Sequence, residues 1–195
     1  MNRAGVRALL WLVALALVVT PALIGSARSA RPNEERAHLV TRLLGPFSEL
    51  AAEVQWIRVQ SAVRSGRSEL ALSRAETALA LDPSNSEGWR FVAAYLGLDL
   101  GSPNTEPEPA RRRALIRSAL QLLERGERTA ESRQLLALWS GLILMTHAEI
   151  DPELEWPTGT RGLWTEAADA FYRAVELGST DAEALAHAAR ERAKD

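Results

Sequence analysis

From residue 37 to the end of the chain, apolar side chains recur every three or four positions, and no alternating run is long enough for a strand. That pattern confines the domain to the all-α class. The spacing predicts helices near 37–65, 68–81, 86–99, 107–126, 130–149, 161–177 and 180–193. Gly45-Pro46 offers a break in the first, because proline cannot continue the backbone hydrogen-bond ladder. "SGR" at 65–67 separates two antiparallel neighbours, and Pro83 ends the second helix by restricting Asp82 and lacking an N–H. Ser84 with Glu87, Thr105 with Glu108 and Thr180 with Glu183 have the spacing of capping boxes.

The N-terminus carries a different signal. Arg3 and Arg7 precede "ALLWLVALALVVTPALIGSA", residues 8–27, which holds no charged residue. At ~1.5 Å per residue the run reaches across a hydrocarbon core of about 30 Å, and the arginines before it favour a cytoplasmic N-terminus. A cleavable signal peptide is the rival reading: Pro21 can break the helix, and "GSA" at 25–27 supplies small residues for cleavage near Ala27. Either reading sends the remainder across the membrane. Residues 1–27 are therefore a membrane anchor or signal peptide, 28–36 ("RSARPNEER") a polar tether, and 37–195 the helical domain.

Composition narrows the chemistry. With 195 residues and 47% hydrophobic content, the chain can build a core unaided. A net charge of -2 offers no general attraction to nucleic acid. Cysteine is absent, which removes disulfides, thiolate metal sites and cysteine nucleophiles.

In "ELALSRAETALALDP", Ala71, Ala75 and Ala78 lie on one helix face and allow a neighbour to approach closely, while Leu70, Leu72, Leu79 and Leu81 supply area to bury. Gly66, Ala71, Ala78 and Pro83, followed by Trp89, Val92 and Ala93, resemble the tetratricopeptide repeat family, whose helix-turn-helix unit spans ~34 residues. A second stretch is similar through Ala167, Phe171 and Ala174, with Ser179 where the family often has proline; a third, worn copy is anchored on Ala119. The loops "GSPNTEPEPA" and "DPELEWPTGT" take up spacing beyond the period. The resemblance implies a short α-hairpin superhelix of about three helix pairs with a capping helix, and an adaptor role.

It also implies a concave groove receiving a peptide or another protein, lined by Glu53, Trp56, Gln60 and Arg64 from one helix and by Arg90 and Ala94 from the next. Some members clamp a C-terminal carboxylate with lysines and asparagines; Trp56 and Gln60 occupy corresponding places here, so that clamp is not expected. Trp56 beside Val54, Ile57 and Val59 also reads as packing, and Arg58, Arg64 and Arg90 as ordinary solvated or paired arginines. "RRR" at 111–113, after Glu106 and Glu108, reads as a surface run with helical ion pairs.

"HAEIDPELEW", residues 147–156, gathers His147, Glu149, Asp151, Glu153 and Glu155, which offer imidazole and oxygen ligands, although their spacing fits neither an EF-hand nor a zincin helix. The alternative is a helix end followed by an acidic loop. No nucleotide loop or nucleophile elbow occurs, and His38 and His187 have no evident partner. The sequence is thus read as a membrane-tethered, tetratricopeptide-like adaptor outside the cytoplasm, without cofactor, catalytic residue or assigned metal. A structural spacer in an envelope assembly, or a metal-binding or enzymatic helical domain, stands as the alternative. Oligomeric state is open.

Overall fold

The protein is described by a computed structural model over residue 45, residues 47–151 and residues 154–194. The apolar segment 8–27, the tether 28–36, His38, Pro46, Glu153 and the first predicted helix before Gly45 lie outside those residues. Among the described residues there is no strand, and the all-α expectation holds: α1 Phe47–Arg64, α2 Ser68–Leu81, α3 Ser86–Ala94, α4 Pro109–Gly126, α5 Arg133–Ile150, α6 Gly159–Glu176 and α7 Ala182–Arg192. None of them is long and apolar enough to cross a membrane. The chain divides into two compact units at Asp82 and Pro83.

In the first unit, α1 and α2 form a hairpin. Gly66 turns the chain at φ 69°, a left-handed conformation that favours a residue without Cβ. Its N–H donates to Val63 O at 2.9 Å and the Arg67 N–H to Ala62 O at 3.0 Å, the paired bonds of a Schellman motif. Small side chains then let the helices close on each other. Ser48, Ala52, Gln55, Val59 and Ala62 are buried on α1, against Ala71, Ala75, Ala78, Leu79 and Leu81 on α2. Leu70 and Leu72 are half-buried, contributing less area than their size suggests. Arg74 Nη1 fastens the pair by donating to the Arg58 carbonyl at 3.0 Å.

The second unit is built around α5, which packs on α3, α4 and α6; α7 closes against α6. Because α5 meets neighbours on several sides, Leu136, Ala137, Ser140, Gly141, Ile143, Leu144 and His147 are all buried along it. Pro83 shows why a proline stands six residues before Trp89. Its carbonyl accepts from the Trp89 indole N–H at 2.9 Å and from the Thr129 hydroxyl at 3.0 Å, so it anchors the start of α3 to the turn after α4. The Glu131 N–H to Ser84 O and the Ser132 N–H to Ser86 Oγ complete that seam.

None of the three residues expected to start a capping box, Ser84, Thr105 and Thr180, stands at an N-cap. Asn85, one residue after Ser84, caps α3 by accepting from the Gly88 N–H at 2.8 Å. Glu108 and Asp181 stand at the N-caps of α4 and α7 without side-chain cap bonds. Thr105 instead accepts from the Ser102 hydroxyl, and Thr180 donates to Asp181. The third predicted helix also changes character: α3 passes into a π-helix at Tyr95–Leu100, closed by the Gly101 N–H on Leu96 O at 2.9 Å.

Candidate functional site

On α1, 3.6 residues per turn align Leu50, Glu53, Ile57, Gln60 and Arg64 in one stripe, opposite the face that packs on α2. Leu50 is 60% exposed and Ile57 66%, with Phe47 at 47% near the helix start. Glu53, Gln60 and Arg64 are exposed beside them. Three of the residues assigned to the groove from sequence therefore share a face, and two large apolar residues that sequence reasoning missed lie among them. The signal was present: Ser48, Ala52 and Ala62 make one side of the helix small while Leu50 and Ile57 make the other side bulky. Trp56 is half-buried at the border between the two faces.

Arg90 and Ala94 belong to the second unit, one turn apart on α3. Arg90 is engaged locally: Nε lies 2.5 Å from Glu87 Oε2, and its guanidinium sits 4.9 Å from the centroid of the Trp139 ring. Ala94 is half-buried.

The second unit also holds a buried polar cluster. Arg112, the middle arginine of 111–113, is only 2% exposed, contrary to the surface role read from sequence. Its guanidinium grips Asp151 with Nε–Oδ2 at 2.6 Å and Nη2–Oδ1 at 2.8 Å, while Nη1 donates to the carbonyls of Pro107 at 2.8 Å and Glu106 at 3.1 Å. The fork thus uses four donors on two segments far apart in sequence. Asp151 occupies the C-cap of α5, where the helix dipole disfavours an anion, and the guanidinium offsets that cost. Of its neighbours, Arg111 forms the expected helical ion pair, with Glu108 at 2.9 Å, whereas Arg113 is half-buried and donates to the Glu155 carbonyl.

One α5 turn before Asp151, His147 is fully buried. Its Nε2 lies 2.7 Å from Gly97 O in the π-helix, so Nε2 carries the proton and donates. The widened π turn leaves that carbonyl to be met from the side. Nδ1 has no hydrogen-bond partner. His147 and Asp151 are therefore committed to Gly97 and Arg112, whereas Glu149 and Glu155 are exposed, and among the described residues no three His, Asp or Glu side chains converge as a metal site.

This environment sets a pH response. Desolvation lowers the His147 pKa from its usual 6.5; the Gly97 hydrogen bond and Asp151 oppose the shift, and Arg112 adds to it. Below pH 6.5 the unfolded chain binds a proton that the folded chain refuses, so stability is lost as pH falls from that value. For a single proton the slope has a ceiling of about 1.4 kcal/mol per pH unit. Urea unfolding between neutral pH and the onset of carboxylate protonation will show it, and His147→Gln should flatten the slope.

A shallow recess of about 290 Å³ lies at the start of α6, lined by Thr160, Arg161, Trp164 and Arg192. The Arg192 guanidinium stands 5.8 Å from the Trp164 ring centroid. No protein-family model, no curated protein and no solved structure matches this chain.

Proposed function

We propose that the chain is a protein-binding module of the tetratricopeptide type, held at the membrane by residues 8–27 with its helical part outside the cytoplasm, and that it acts by binding. The observation that carries this reading is the α1 stripe, where Leu50 and Ile57 expose 60% and 66% of their surface between Glu53, Gln60 and Arg64. Exposed large apolar residues among polar ones mark a surface that gains free energy when covered. The repeat reading is supported by the glycine-turned α1–α2 hairpin and by Ala71 and Ala78, buried where the family pattern has small residues. The membrane reading is supported by the uncharged run that follows Arg3 and Arg7.

Capture from envelope extract by the full chain, compared with a Leu50→Asp, Ile57→Asp variant of unchanged helicity, tests the surface. Loss of the captured protein by roughly tenfold or more is expected, as for residues that anchor an interface. Equal capture by both baits would remove α1 as the binding surface.

A further inference from the structure

The α1 stripe has a charge order of its own. Leu50, Glu53, Ile57, Gln60 and Arg64 alternate in steps of three and four, the spacing of a seam between two helices. Glu53 lies toward the helix start and Arg64 at its last residue, about 16 Å apart along the axis. Among the described residues neither enters an ion pair within the chain, although both are exposed.

We propose that this face pairs with the same face of a second copy of the chain, α1 against α1 in antiparallel order about a two-fold axis. The proposal rests on reading the face as a protein-binding surface and names its partner. With the axis crossing the helices between Ile57 and Gln60, each Glu53 carboxylate meets the Arg64 guanidinium of the other copy, and the contact is made twice. Each Ile57 then lies against Gln60 of the other copy near the axis. A two-fold contact must be self-complementary, and a patch carrying one acid and one base on either side of a central apolar residue meets that condition. Parallel pairing fails the same test, because it sets Glu53 against Glu53 and Arg64 against Arg64.

Charge exchange tests the arrangement on the full chain in non-ionic detergent, read by sedimentation equilibrium across a range of concentrations. The unmodified chain should reach the protein mass of two copies. Glu53→Arg alone, or Arg64→Glu alone, creates like-charge contacts and should weaken association by about tenfold or more at unchanged helicity. The Glu53→Arg, Arg64→Glu double variant should recover it, as should an equimolar mixture of the two single variants, because the mixed pair alone sets opposite charges against each other at both contacts. Association indifferent to the single variants, or single losses without recovery, would overturn the antiparallel pairing. A chain that stays monomeric but loses its captured protein in Leu50→Asp, Ile57→Asp would overturn self-pairing and leave the binding surface standing. A monomer whose capture ignores those substitutions would overturn both.

Discussion

Replacing Asp151 by alanine should destabilise the second unit by about 3–5 kcal/mol, because it leaves the Arg112 guanidinium buried without its counter-charge. At 2% exposure that guanidinium has no route to water without unpacking the ends of α4 and α5. Arg112→Ala should cost a similar amount from the other side, stranding a carboxylate at a helix C-terminus and removing the donors held by the Glu106 and Pro107 carbonyls. Removing both charges in Arg112→Met, Asp151→Leu should recover most of the loss, with about 1–3 kcal/mol left for those two carbonyls. Urea unfolding followed by circular dichroism gives all three values. The buried pair should also resist added salt, unlike Arg111–Glu108, whose side chains are 70% and 53% exposed. A loss below about 1 kcal/mol in Asp151→Ala would mean that water already reaches the pair.

The contrast between those two pairs shows what was legible in the sequence. Helix positions follow from local periodicity, which is why α2 and the glycine turn before it stand where the spacing placed them. Ala71, Ala75 and Ala78 were legible as a close-packing face for the same reason. The partner of Arg112 was not legible, since Asp151 is 39 residues away and only tertiary packing brings them together. A run of three arginines defaults to solvent, and nothing local marks its middle member as the buried one.

Caps failed for a related reason. A serine or threonine three residues before a glutamate recurs by chance in a helical chain, and the backbone selects whichever oxygen reaches the first free amides. At α3 that oxygen belongs to Asn85. The π-helix had no local signature either: "YLGLDL" continues the apolar spacing, and what distinguishes it is the Gly97 carbonyl meeting His147 from another helix. On α1 the polar members of the stripe were legible through the repeat resemblance, with spacing placing them on one face. Leu50 and Ile57 were not, because bulky apolar residues are assigned to a core by default, and α1 fills its core side with small residues.

Phe171→Ala should cost about 3–5 kcal/mol, the second large effect, because the ring is fully buried between α5 and α6 and its removal leaves a cavity the helices cannot close. The ring fits there because α5 presents a glycine: a Cβ on Gly141 would stand 2.5 Å from Phe171 Cε1 and 2.6 Å from Cδ1. Gly141→Ala gains about 1 kcal/mol of helix propensity yet forces the ring or the helix to move, for a net loss of about 1–3 kcal/mol. The two substitutions must then couple. With alanine at 171 the obstructing ring is gone, so adding the methyl at 141 should become neutral or stabilising. The double variant should therefore lose less than the single losses combined, by an amount comparable to the Gly141→Ala penalty. Urea unfolding of the four proteins completes the cycle. Strict additivity would mean that the ring turns away from α5 freely, and the glycine would then owe its place to something other than Phe171.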